Sequence, residues 1–214
     1  MTDSMIVKDW DSLRQILGEP VPGIKDKVES TLKPLSREFI QHAPLVFVST
    51  VDQQGRLDVS PKGDAPGFCH IADDSTLLVP ERVGNRLAFG FQNILQTGRI
   101  GLIFVIPRLR ETLRVNGSAE LTNDPDLLHQ LSAQNKSAIL CTRVSIEEVF
   151  LHCGKAMIRS KLWQPEAWAP TPNISWGQYA REKSLDNQAT VEEAEKIAVE
   201  VDKVAEDNYK NELY

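Results

Sequence analysis

The chain has 214 residues, 41% of them hydrophobic and 25% charged, with a formal net charge of −6. That length buries a sizeable core in one large domain or one domain with appendages, and the acidic balance argues against a nucleic acid or anionic membrane recognised through a globally basic surface. Cys69, Cys141 and Cys153 are too few and too scattered for a disulfide framework, so a reduced, cytoplasmic setting is expected.

The opening stretch MTDSMIVKDWDSLRQ lacks a basic start followed by an apolar core, so no signal peptide is expected. No apolar run approaches the roughly 20 residues of a membrane helix. KDWDSLRQIL places Trp10, Leu13, Ile16 and Leu17 at helical spacing, and Gly18 and Pro20 end it. GIKDKVESTLKPLSREFIQHAP offers more helix, with a break at Pro34. PLVFVSTVDQQGRLDVSP then reads as a hairpin with a polar turn from Asp52 to Gly55. STLLVP is a short strand stopped by Pro80.

NRLAFGFQNILQTG returns to helical spacing through Leu87, Phe91, Ile94 and Leu95, with Gly98 as its stop. RIGLIFVIP has the apolar run of a buried strand. ETLRVNGSAELTND shows the clearest period of two: Leu113, Val115, Ala119 and Leu121 share one face, and polar residues fill the other. DPDLLHQLSAQ predicts a short helix capped near Asp124, and SAILCTRVSIEEVFLHC one long strand or two consecutive ones. QPEAWAPTPNISWGQYAREK reads as a packed loop or arm. From Thr190 an apolar stripe through Val191, Ala194, Ile197, Ala198 and Val201 predicts a helix opened by a Thr190–Glu193 capping box. The expected class is mainly β with flanking helices (α+β), built on about six antiparallel strands closing into a small barrel.

Positive charge recurs beside turn residues in this acidic chain: Lys62 in SPKGD, Arg82 and Arg86 in PERVGNR, Arg114 in ETLRVNG, and Lys155, Arg159 and Lys161 in GKAMIRSKLW. Singly, each suits a solvated surface. Together, strand ends around a barrel can converge. PERVGNR lies between a strand and a helix, so Gly84 and Asn85 are expected at the helix N-terminus, where free N–H groups and the helix dipole favour an anion. Arg82 and Arg86 add charge-assisted donors, which makes a phosphate seat; an ordinary helix cap with exposed arginines is the alternative. The adjacent pairs Cys69–His70 and His152–Cys153 point to opposite faces of a strand, and no metal site is expected.

The ordered set SPKGDAPGF, LLVPERVGNR, RIGLIFVIP, ETLRVNGSAEL and VFLHCGKAMIRSKLW resembles the FMN-binding split-barrel family related to pyridoxamine 5′-phosphate oxidase, in the branch of flavin-nucleotide-binding proteins. The resemblance runs from about Pro44 to Trp163. It implies a six-stranded antiparallel split barrel, and a homodimer with FMN at the subunit interface. It divides the chain into an N-terminal helical segment (1–43), the FMN-binding domain (44–163) and a C-terminal arm and helix (164–214). Carried over by position, Ser60 and Lys62 lie along the flavin ring, Val79 and Pro80 near the ring and ribityl chain, and Asn85 and Arg86 at the phosphate, with Arg82 beside them. Glu111 and Thr112 match the strand supplied by the other subunit. Arg114, Lys155 and Arg159 complete the cofactor-binding set, and no catalytic residue is assigned.

Two departures stand out. The oxidase's phosphate turn carries two adjacent basic residues where this chain has Asn85-Arg86. The oxidase's C-terminal Trp and Arg substrate pattern has no clear counterpart. The expected function is therefore an FMN-dependent oxidoreductase acting on an unknown small molecule. The alternative is a non-catalytic flavin or haem protein for storage or sensing, with His70 or His152 as the axial ligand of a haem. The SPKGDAPGF stretch then reads as a strand edge shaped to lie beside a flat ring, or as an edge protected by proline and lysine against pairing with other chains.

Overall fold

The computed structural model describes residues 6–214; residues 1–5, the start of the stretch read as lacking a signal-peptide pattern, lie outside them. Strands β1 (Leu45–Val51), β2 (Leu57–Gly63), β3 (His70–Ile71), β4 (Thr76–Glu81), β5 (Arg99–Val105), β6 (Thr112–Thr122) and β7 (Leu140–His152) form one antiparallel sheet in the order β2-β1-β5-β6-β7-β4-β3. Among the described residues there are seven strands in an open order, where six in a closed barrel were expected. The extra one, β3, is a two-residue strand against Leu77 and Leu78 of β4, too short to carry a period. The edge strand β2 approaches β4, the last but one strand at the other side of the sheet, through side chains: Lys62 at the end of β2 pairs with Glu81 at the end of β4, and Asp64 pairs with Arg82. No ladder joins β2 to β4 among the described residues.

The β1–β2 turn is built by Asp52. Its carboxylate accepts from the N–H groups of Gln54 and Arg56 at 2.8 Å and from Arg56 Nε at 2.6 Å, which fixes the chain reversal that the polar turn predicts. Both prolines inside strands sit where no ladder bond is lost. Pro61 lies on the edge strand β2, and Pro80 lies beyond the reach of β3, so β4 continues through it to Glu81 instead of stopping.

Around the sheet lie α1 (Trp10–Leu17), α2 (Pro34–His42), α3 (Phe89–Thr97), α4 (Pro125–Gln130), α5 (Lys155–Arg159), α6 (Trp176–Asp186) and α7 (Val191–Asn211). Pro34 does not break a helix; it begins α2, at a position that needs no N–H donor. The stretch before it holds a 3-10 turn, Ile24–Lys27, and a single β-bridge from Glu29 to Val149 of β7 in place of the expected helix. The arm read as a loop contains a helix, α6, capped by Ser175 accepting from Gln178 N–H. The capping box at the start of α7 is present, Thr190 N–H donating to Glu193 Oε2 at 2.8 Å.

The inner face of the sheet buries Val46, Val48, Leu102, Phe104, Leu113, Val115 and Val144 against Phe39 and Ile40 of α2 and Ile94 of α3. Helices α6 and α7 pack on each other instead. Gly177 lies so close to α7 that a Cβ there would sit 2.3 Å from the Ala198 carbonyl oxygen, and its N–H donates to Asp202 Oδ1 at 2.6 Å. The outer face of β2-β1-β5 is uncovered in the single chain, with Phe47 and Ile103 paired across strands and exposed by 39% and 40%.

Candidate functional site

A cavity of about 620 Å³ opens where the ends of β2 and β4 meet the loop before α3, a volume suited to a small ligand or cofactor. Its deeper wall is apolar, from Val48, Phe68 and Ile94, with Pro61, Pro80 and Phe91 above. Its polar lining comes from Ser60, Lys62, Asp64, Glu81, Arg82 and the loop 83–88.

The loop is not the helix start that the spacing predicts. Helix α3 begins at Phe89, after Ala88 in the left-handed region (φ 59°), and Arg86 is also left-handed (φ 62°). Asn85 Oδ1 accepts from Leu87 N–H at 3.0 Å, the side chain satisfying its own turn. Helical spacing through Leu87 is a coincidence of two adjoining segments. The N-terminal turn of α3 still lines the cavity through Phe89, Gly90 and Phe91. Asp58 lies beside it, its Oδ2 3.1 Å from where a Gly90 Cβ would be.

Charge in the cavity is largely paired. Lys62 bonds Glu81, and its ammonium lies 4.9 Å from the centroid of the Phe91 ring. Arg82 donates through Nε to Asp64 Oδ2 at 3.0 Å and through a terminal nitrogen to the Leu131 carbonyl at 2.9 Å. Asp64 has a side chain only 4% exposed. Its burial raises the carboxyl pKa, but the Ala65 N–H, the Tyr214 hydroxyl and Arg82 outweigh burial and hold it below the usual carboxylate value. Arg86 is exposed and has no carboxylate partner among the described residues.

A depressed carboxylate favours the folded state only while it is ionised. Asp64 therefore contributes stability above the unfolded carboxyl value of about 3.9 and loses it as pH falls toward the lower folded value. The acid limb of the stability curve of Asp64→Asn should be flatter below about pH 4 than that of the unaltered protein. Chemical denaturation at several pH values measures this, and parallel limbs would remove Asp64 from the account.

Ser60, Lys62, Pro80, Arg82, Asn85 and Arg86 line the cavity, and Val79 is buried beside it in β4. Glu111, Thr112, Arg114, Lys155 and Arg159 do not line it. They gather where β6 starts and β7 ends: Thr112 pairs with His152, Arg114 lies across from Phe150 with its guanidinium carbon 5.2 Å from that ring, and α5 begins at Lys155. Asp58, Asp64, Glu81, Phe91 and Tyr214 line the cavity without having been assigned to the site. Asp64 and Glu81 stood inside the SPKGD and PERVGNR motifs, and the cations beside them were the available clue. Neither His70 nor His152 reaches the cavity, which leaves the haem alternative without an axial ligand there. No group of three His, Cys, Asp or Glu residues suited to a metal occurs among the described residues, and no described helix is long and apolar enough to cross a membrane.

The family model described as pyridoxamine 5′-phosphate oxidase matches residues 32–153, more than half of the chain. The chain belongs to the pyridoxamine 5′-phosphate oxidase family. The match contains all seven described strands, from Leu45 to His152, and it begins at Leu32, just before α2. No curated protein matches the sequence.

Solved structures similar to this chain include HupZ from Group A Streptococcus, at 20% identity over 56% of this chain and 93% of that one, TM-score 0.46. A Clostridium acetobutylicum protein related to general stress protein 26, of the pyridoxinephosphate oxidase family, matches at 15% identity over 56% of this chain and 86% of its own, TM-score 0.43. An FMN-binding protein from Syntrophomonas wolfei matches at 12% identity over 55% and 88%, TM-score 0.41. Within the oxidase family frame, the cavity is bounded by the SPKGD strand end and the PERVGNR loop, the motifs that carry the resemblance.

Proposed function

We propose that the protein binds FMN in this cavity and works as a flavin-dependent oxidoreductase on a small molecule. The observation that carries the reading is Arg86, a cation with no carboxylate partner among the described residues, on a loop beside an apolar cavity. The residues fit the cofactor. Arg86 and the Asn85 amide offer donors to one phosphate. Pro61, Phe91 and Ile94 offer apolar surface to a ring. Lys62, next to Phe91, lies where a cation can stabilise negative charge on a reduced flavin. Ser60 and Asp58 supply polar groups for the ribityl chain. The flavin supplies the redox chemistry when bound; the chain binds, orients and shields it.

The second part of the proposal is a homodimer, with 44–163 as its cofactor-binding unit. The uncovered face bearing Phe47 and Ile103 supports it. So does the separation of Glu111, Thr112, Arg114, Lys155 and Arg159 from the cavity, which suits a contribution to the partner's site. In this reading seven of the residues assigned to cofactor binding, the six lining the cavity and Val79 beside it, act within one chain, and these five across the interface.

The test is the chromophore of the purified protein. A yellow protein whose extracted cofactor has the mass of FMN is expected, with light scattering giving about twice the 24.0 kDa chain mass. Bound FAD, or no chromophore after reconstitution with FMN, sinks the cofactor assignment. A monomer that holds FMN tightly sinks the dimer. Reduction of the bound flavin by NADH or NADPH, followed by transfer to an acceptor, separates an enzyme from a flavin store.

A further inference from the structure

The segment after α7 comes back to the cavity. Leu213 and Tyr214 line it together with Arg82, Asn85 and Arg86. The Tyr214 hydroxyl donates to Asp64 Oδ1 at 2.8 Å, across 150 residues of chain. Lys136 Nζ donates to the Tyr214 backbone oxygen at 2.5 Å. The position is the mouth of the cavity and not its floor: Leu213 is 61% exposed and Tyr214 is half-buried, whereas Val48, Phe68 and Ile94 at the base are buried.

The attachment is light. Two hydrogen bonds hold the segment, and Leu213 adds no buried apolar anchor. Asp64 does not depend on the hook, because Ala65 N–H and Arg82 Nε also donate to it, at 2.7 and 3.0 Å. Losing the tyrosine hydroxyl leaves that buried carboxylate satisfied. A contact of this kind opens at little cost to the fold, and it closes over the one stretch of wall that carries Arg86.

We propose that Tyr214 is a gate on the cavity: its ring closes the mouth while its hydroxyl is hooked on Asp64, and ligand enters and leaves when the hook opens. The proposal rests on the reading of the cavity as an FMN site and adds to it the element that sets residence time.

The experiment compares the full chain with Tyr214→Phe and Tyr214→Ala. Stopped-flow flavin fluorescence gives the association and dissociation rates of FMN, and thermal unfolding is followed in parallel. Tyr214→Phe keeps the ring and removes the hook. Both rates should rise about tenfold, the factor that one hydrogen bond to a charged group sets, with the dissociation constant and melting temperature little changed. Tyr214→Ala also removes the wall, so dissociation should accelerate more than association and the dissociation constant should rise. Wild-type rates in both variants, with FMN still bound, overturn the gate and leave the cofactor reading standing. Unchanged rates with a lowered melting temperature overturn it as well, by making the hook a structural tie. Failure of the unaltered protein to bind FMN overturns both the cofactor reading and the gate built on it.

Discussion

Replacing Arg86 with alanine is expected to weaken FMN binding about ten- to a hundredfold while leaving riboflavin binding almost unchanged. The range corresponds to about 1.5–3 kcal/mol, the contribution of a charge-assisted hydrogen bond. Arg86 differs from the other cavity cations in one respect: Lys62 and Arg82 are already committed to Glu81 and Asp64, and Arg86 is not. Its guanidinium is exposed and holds no buried partner, so the fold should tolerate its loss. Alanine faces the same left-handed backbone at φ 62° that arginine does, which keeps the conformational cost equal on both sides of the comparison. Riboflavin lacks the phosphate and serves as the internal control. Isothermal titration of both ligands decides the matter: equal weakening of the two would indicate general damage to the cavity, and no weakening of either would move the phosphate elsewhere.

The largest effect on stability should come from Gly117→Ala. The β6–β7 register shifts between Asn116 and Gly117, and a Cβ at Gly117 would lie 2.0 Å from the Ser145 carbonyl oxygen and 3.3 Å from Glu147 N. Both obstacles are backbone, so no side chain can swing aside; the two longest strands would have to part. Overpacking of this severity costs about 3 kcal/mol or more, which for a chain of this size lowers the melting temperature by roughly 6–12 °C. Gly101→Ala, in the neighbouring β5, is the control, because its Cβ would meet Asn116 Oδ1 at an ordinary 3.4 Å. Equal melting temperatures for the two variants would contradict this account of the bulge.

Local signals explain which parts of the molecule could be read beforehand. The Asp52 turn, the period-two run through Leu113 and Val115, and the Thr190 capping box each depend on residues within a few positions of one another, and each stands as expected. Pro34 misleads because proline both ends and begins helices, and spacing alone does not choose. Helix α6 hides because it follows a Pro- and Trp-rich run and carries no apolar stripe of its own, Gly177 being its one buried residue; Gly177 is there for close packing on α7, which local sequence does not express. In the site, strand ends and loop were legible as motifs. What was not legible is who pairs with whom. Lys62 with Glu81 and Arg82 with Asp64 are decided by how far the sheet curls. Tyr214 on Asp64 is decided by where a 21-residue helix happens to deliver its end.

The self-contained packing of α6 on α7 has a dynamic consequence. The two helices share their own small interface, centred on Gly177, Ala194 and Ala198, and neither lies along a strand among the described residues. Such a pair can come undone as a unit while the sheet stays intact, at a free energy set by its own interface and not by global unfolding. Its backbone amides would then trade hydrogen with solvent well ahead of those of β6 and β7. On this account the hairpin is expected to melt as a separate module, and its opening leaves the strands that line the cavity in place.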